Sequence, residues 1–270
     1  MVRKHLIEKN KSFYSNYSKK NHATIYGTHA VKAALSNINR SELTLMGTPE
    51  ALQSLKTSSI TLNPKSIEAL KNAKQISRNE INELLPIGAT HQGLLLFSNA
   101  LPQPKLESLL KNINEKSGPL VALDQIKDPR NVGAIMRSSF ALGARAIIIQ
   151  SRNSAPISGA LAKAASGALE TLPFIQVTNL ARALDKIKDA GYWLVGLDSR
   201  ADKSIHSALS YQPATIVLGS EEQGLRRLTS ERCDILATIP TSNYHEEGIS
   251  LNVSNAAAIA LYQNKISQLD

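Results

Sequence analysis

Six short, mostly apolar strand candidates recur between residues 120 and 239, and helical segments fill most of the gaps between them. They are 120–123, 146–149, 174–177, 192–197, 215–218 and 235–239. Strands joined through helices run parallel, because a parallel pair needs a long crossover whereas an antiparallel pair needs only a turn. This alternation predicts an α/β domain with a largely parallel sheet over residues 118–270.

Smaller elements alternate upstream. His29–Leu35 has helical apolar spacing, Glu42–Met46 reads as a short strand, and helices are expected over Pro49–Ser58 and Ser66–Ala73. Gly93–Phe97 reads as a buried strand. A compact α/β unit over 22–99 follows, with order expected from Thr24. Residues 1–21 are expected to form a disordered basic tail, since they are polar and lack an apolar period. Leu101-Pro102-Gln103-Pro104 reads as the start of a linker, 100–117. Within it Leu106, Leu109, Leu110 and Ile113 follow the stripe of an amphipathic helix.

Composition narrows the function classes. The 270 residues carry 31 Lys and Arg against 22 Asp and Glu, a formal charge of +9. That balance points to a polyanionic partner, with nucleic acid ahead of a membrane surface. Aromatic residues are only 4%, which disfavours a single-strand binder built on stacking platforms. One cysteine excludes an intrachain disulfide framework and a cysteine-rich metal site. No apolar run is long enough to span a bilayer, and the first twenty residues lack the apolar core of a secretory signal. The expectation is a basic, soluble, cytoplasmic protein.

Several familiar motifs are missing. The fourteen glycines never fall as G-x-G, so the dinucleotide fingerprint is absent. Gly219 and Gly224 have P-loop spacing, but Leu225-Arg226 stands where Lys-Ser/Thr would grip phosphate. The six histidines form no H-x-H or HExxH pair, and no metal is expected.

Three segments carry candidate chemistry. In Asp124-Gln125-Ile126-Lys127-Asp128-Pro129-Arg130-Asn131, a strand runs into a turn and then a helix that Asp128 or Asn131 caps. Arg137 lies on that helix among small and apolar residues; it is either a solvated helix residue or a guanidinium awaiting an anion such as an RNA phosphate. Next, Leu218-Gly219-Ser220-Glu221-Glu222-Gln223-Gly224 closes an apolar strand. Gly219 permits close approach to the backbone, and Glu221 is an acceptor at a strand's carboxyl end, where α/β proteins bind ligands. Asp198 also closes a strand, but no motif surrounds it. Last, Ser250-Leu251-Asn252-Val253-Ser254-Asn255 precedes an alanine-rich helix, with Ser254 or Asn255 as its cap. The alanines imply tight helix packing or a dimer contact.

Taken in order, DPRNVGAIMRSS, LGSEEQGLRRLT and SLNVSNAAAIALY resemble motifs 1, 2 and 3 of the SpoU class of SPOUT RNA methyltransferases over 120–263. Ser154–Leu172 and 177–184 are similar to its bacterial 23S rRNA guanosine 2′-O-methyltransferase branch. Tyr26-Gly27-Thr28-His29 and Thr90-His91-Gln92-Gly93 resemble that branch's ribosomal-protein-like RNA-binding domain. The resemblance implies a parallel sheet with a deep trefoil knot, S-adenosylmethionine as methyl donor, an RNA substrate and a homodimer. It also implies that Leu218, Gly219, Ile239 and Leu251, with Ser250 and Asn252, hold the cofactor. Arg137, Asn131 and Glu221, with Ser250 and Asn252, match residues of catalysis or of ordering the site.

One departure stands out. Thr241 replaces the family's usual Met after the proline, and Glu246-Glu247 brings acid into a longer loop. The expectation is that this loop alters cofactor affinity and not the reaction. Alternatives remain methylation of a tRNA or another rRNA nucleotide, and a non-catalytic ribosome-assembly protein.

Overall fold

The computed structural model describes residues 22–111, 113–114, 117–210, 212–242 and 251–268. The basic tail 1–21 and the segment 243–250, with Glu246, Glu247 and Ser250, lie outside them. The described residues form two compact units, one of 22–102 with 157–170, the other of those in 103–156 with those from 171 to 268.

The first unit holds strands β1 (His22–Tyr26), β2 (Thr44–Gly47), β3 (Lys74–Gln75) and β4 (Leu94–Asn99), in sheet order β1-β4-β2-β3. β4 pairs antiparallel with both β1 and β2, and β3 joins the edge in parallel. Its helices are α1 (Thr28–Ser36), α2 (Pro49–Lys56), α3 (Pro64–Lys71) and α4 (Arg78–Leu84). Three of their starts are written locally: Thr48 and Asn63 cap helices that begin with proline, and Ser77 with Glu80 closes a reciprocal capping box. Tyr26, Met46, Ile81, Leu95 and Phe97 form an apolar core.

The second unit contains helix α5 (Leu106–Leu109), strand β5 (Leu120–Leu123), helix α6 (Pro129–Ala141) and strand β6 (Ala146–Gln150). Between β6 and β7 (Phe174–Val177), helix α7 (Gly159–Ala164) and a 3-10 turn at Ala168–Glu170 belong to the first unit. The second unit continues with α8 (Leu180–Asp189), β8 (Trp193–Leu197), β9 (Lys203–Ser204), α9 (Ile205–Ala208), β10 (Ala214–Leu218), α10 (Arg227–Ser230), β11 (Ile235–Thr238) and α11 (Val253–Ile266). The sheet order is β7-β6-β5-β10-β8-β11-β9, and every pairing is parallel. All residues of β5 and β10 are buried. That follows from their sequences, apolar except for Thr215, since a parallel sheet is covered on both faces. Helix α8 buries Leu180, Ala183, Leu184 and Ile187 at helical spacing against this core. Truncating a central residue such as Ile148 to Ala would cost about 2–5 kcal/mol.

One domain reading, 118–270 as a single unit, is corrected, whereas the amphipathic stripe expected within the linker 100–117 is present: Leu106 is buried, and Leu109, Leu110 and Ile113 pack on the second core. The regular helix stops at Leu109, whose carbonyl accepts from Arg145 Nη2 at 3.0 Å. Residues 157–170 pack with the first unit and not with the domain that surrounds them in sequence. Gly159 allows it, because a Cβ there would overlap the Tyr26 ring.

Candidate active site

The chain lays β5, β6 and β7 outward, then returns to place β10 beside β5. The loops after β5 and β10 therefore meet where the strand order reverses, the position at which open α/β sheets bind ligands. Asp124 ends β5 fully buried, and its backbone N–H donates to Leu218 O at 2.8 Å. Its carboxylate accepts from Arg226 Nε at 2.7 Å and from the Arg226 backbone N–H at 3.1 Å. Arg226 Nη2 reaches Gln150 Oε1 at 2.9 Å. This ion pair fastens the end of the 219–226 loop to the sheet. Reading the sequence for motifs missed both partners. An aspartate ending an all-apolar strand was the available signal, because a buried carboxylate needs a paired cation.

Between those anchors the loop closes on itself, with Ser220 and Gly224 exchanging backbone hydrogen bonds of 3.1 and 2.8 Å. A Cβ at Gly219 would collide with the Gly224 backbone. The closed turn is thus a sufficient reason for glycine at 219, whereas the sequence reading looked to an approaching ligand. The turn presents Glu221, whose Oε1 accepts from Asn252 Nδ2 at 2.7 Å, Asn131 Nδ2 at 3.2 Å and the Val253 backbone N–H at 3.3 Å. Asn252 Nδ2 also donates to Asn131 Oδ1 at 3.1 Å. One carboxylate oxygen therefore binds the three segments together. Asp128 caps α6 through the Arg130 N–H at 2.8 Å. Helix α11 is capped by Asn252, which accepts from the Ser254 N–H at 2.9 Å, and not by Ser254 or Asn255.

Beside this group lies a cavity of about 310 Å³, in the size range of small-molecule sites. It sits over the carboxyl ends of the adjacent strands β8, β10 and β11. Leu218, Gly219, Ile239 and Leu251 line it, as do Leu197, Ala237, Thr241 and Asp198. Thus four of the expected cofactor residues share one cavity. Asn252 stands next to it in the Glu221 group, and Ser250 lies outside the described residues. Arg137 does not join the group. It faces outward on α6, and no hydrogen bond or ion pair to it is found among the described residues. The buried helix residues Val132, Ile135 and Ser139 occupy the opposite face, while Gly133, one turn before Arg137, is buried on its own side. Among the described residues, no three His, Cys, Asp or Glu side chains cluster as metal ligands.

Comparisons with known proteins bear on this geometry. Residues 118–262 match the SpoU rRNA Methylase family. The 23S rRNA (guanosine-2'-O-)-methyltransferase RlmB of Coxiella burnetii is 37% identical over 246 residues, covering 89% of this chain and 94% of that protein. The RlmB of Neisseria meningitidis serogroup B is 35% identical over 248 residues, covering 91% and 95%. Among solved structures, the AviRb methyltransferase of Streptomyces viridochromogenes in complex with AdoMet superposes with a TM-score of 0.71. It is 22% identical and covers 92% of this chain and 91% of its own, which makes it a likeness of fold. The matched segment spans both the Asn131–Glu221–Asn252 group and the cavity over β8, β10 and β11, and the chain belongs to the SpoU rRNA methylase family.

Proposed function

We propose that this protein transfers a methyl group from S-adenosylmethionine to the ribose 2′-oxygen of a guanosine in 23S rRNA. The observation that carries the reading is the convergence of three segments, around 219, 239 and 251, on one cavity beside Asn131, Glu221 and Asn252. The names of the relatives support the substrate. The residues present suit the cofactor: Leu218, Ile239 and Leu251 offer apolar surface to a nucleobase. S-adenosylmethionine, when bound, supplies a methyl group activated on a sulfonium.

The chain must hold the RNA ribose and stabilise charge developing on its 2′-oxygen. Arg137 fits the second task, because its guanidinium is exposed with no partner among the described residues. A guanidinium offers only donors, so it grips a phosphate and steadies an oxyanion more readily than it removes a proton. Glu221 acts through position, by fixing Asn131 and Asn252. Alignment of this kind contributes about 7–11 kcal/mol when the attack geometry is good.

The finer reading goes further. Strands β10 and β11 each enter a gap between strands formed earlier in the chain, which supports a trefoil knot closed by residues beyond 239. The first unit, over 22–99, is read as a ribosomal-protein-like RNA-binding domain, and 118–270 as the methyltransferase domain. Exposed Phe140, Ile259 and Tyr262, on the mutually packed helices α6 and α11, support a homodimer. No described helix is long and apolar enough to cross a membrane, and a cytoplasmic site follows from the rRNA substrate.

The test is transfer of labelled methyl from S-adenosylmethionine to 23S rRNA and to tRNA, with mapping of the modified ribose. Label on a 23S guanosine 2′-oxygen is expected. Label on tRNA or on another rRNA nucleotide would redirect the substrate assignment, and RNA binding without label would identify a non-catalytic assembly protein.

A further inference from the structure

Asp198 ends β8 between β10 and β11, at the wall of the cavity, and it is fixed from several sides. Its backbone N–H donates to Ala237 O at 3.0 Å, tying it to β11. Its Oδ1 accepts from the Arg200 backbone N–H at 2.9 Å and from Arg200 Nε at 3.1 Å, and Oδ2 accepts from Nη2 at 3.1 Å. The Asp198 side chain is 17% exposed, whereas that of Arg200 is 77% exposed. The carboxylate therefore sits inside the site with the guanidinium at its mouth. The hydrogen bonds from Arg200 hold the acid below the usual carboxylate range.

An ionised carboxylate offers about four acceptor positions. Arg200 occupies three of them, two on Oδ1 and one on Oδ2, which leaves room for one further donor on Oδ2. A cationic group is a poor candidate, since the guanidinium already neutralises the acid. An ammonium offers only donors. A sugar hydroxyl suits the pair better, because it donates to Oδ2 while accepting from the adjacent guanidinium.

We infer that Asp198, oriented by Arg200, binds a ribose hydroxyl of the nucleoside cofactor. The inference rests on the proposed function and adds a binding residue that no motif in the sequence marks. Hydrogen bonds to charged groups are the stronger kind. The loss of this one is expected to weaken nucleoside binding about tenfold or more.

Calorimetric titration of the full chain with S-adenosylhomocysteine, and with its 2′-deoxy and 3′-deoxy analogues, tests this. The native protein should bind one deoxy analogue about tenfold or more weakly than the parent compound. Asp198→Ala should weaken the parent compound by a similar factor and bind parent and that analogue alike. Asp198→Asn keeps the side-chain volume and serves if the Ala variant does not fold; it should also narrow the discrimination. Equal binding of all three compounds by the native protein would overturn the inference, as would unchanged discrimination in both variants. Failure of the native protein to bind S-adenosylhomocysteine at all would instead remove the proposed function.

Discussion

The two units place their buried ion pairs differently. In the first unit Arg40 and Glu170 form a bidentate pair, Nη2 to Oε1 at 2.7 Å and Nε to Oε2 at 3.0 Å, with side chains 2% and 5% exposed. Asn37 Nδ2 donates to the same carboxylate at 2.8 Å, and Arg40 Nη1 donates to Asn99 O at 2.8 Å. In the second unit Asp124 is equally buried, but its partner Arg226 is 37% exposed and lies in the loop that carries Glu221. One pair closes an interior and joins segments distant in sequence. The other stands at the rim of a cavity, where water reaches one partner. The parallel sheet, though it buries Thr215 within β10, keeps its buried ion pair at the strand ends, whereas the smaller mixed sheet has one buried against β4.

The sharpest way to break this comparison is to cut each pair. Glu170→Ala strands a buried guanidinium and should cost the first unit about 3–5 kcal/mol. Denaturant unfolding would measure it, and S-adenosylhomocysteine affinity should be unchanged. Arg226→Ala leaves Asp124 nearer to water and should cost less, about 1.5–3 kcal/mol. It should nonetheless weaken S-adenosylhomocysteine binding, because the loop at 219–226 loses its anchor. Equal effects on affinity from both variants would erase the functional distinction.

Arg137→Ala should lower the methyl-transfer rate by about 10²–10³-fold while leaving S-adenosylhomocysteine affinity nearly intact. Arg137→Lys should also fail, since an ammonium lacks the planar fork. Near-normal turnover in the Lys variant would refute the phosphate grip. A large loss of cofactor affinity in the Ala variant would move Arg137 from chemistry to structure.

Much of the second unit was legible because most of its strands are predominantly apolar runs, such as Ala146–Ile149, with helices between. The edge strand β9 was not legible: it has two residues, Lys203 and Ser204, and neither is buried. In the second half of the linker the helical period from Leu106 to Ile113 marks the side that packs on the core, but not the helix end at Leu109, whose carbonyl is satisfied by Arg145, distant in sequence. In the site, Glu221, Asn131 and Asn252 could be picked by residue type and motif. Their shared oxygen could not, since it depends on β10 entering beside β5. Asp124 and Arg226 were hidden for the same reason.

Glu221→Gln probes that shared oxygen. The amide retains an acceptor but loses its charge, so each of the three donors is held more weakly. About 1.5 kcal/mol, or roughly tenfold in S-adenosylhomocysteine affinity, is expected. Unchanged affinity and unchanged methyl transfer would show that Asn131 and Asn252 need no carboxylate between them.

The smallest expected effect lies in the first unit and separates its polar interior from the site. His91 is 6% exposed; its Nδ1 accepts from the Gly93 N–H at 3.1 Å, and Nε2 faces Asn82 Oδ1 at 3.1 Å. The ring is thus held neutral with its proton on Nε2, and a second proton would be forced against the Gly93 N–H. Burial, followed by the charges of Arg78 and Lys163, lowers its pKa below the ordinary 6.5. Below 6.5 the unfolded chain therefore binds more protons than the folded one. The contribution of His91 to stability is complete above 6.5 and is lost as the pH falls from there through the folded value. Melting temperatures compared between about pH 7.5 and about pH 5.5 should fall more for the native protein than for His91→Gln. S-adenosylhomocysteine affinity at neutral pH should be the same in both, because nothing in the second unit depends on this ring. An identical pH slope in the two proteins would show that His91 is not held neutral, and a change in affinity would show that the two units share more than a chain.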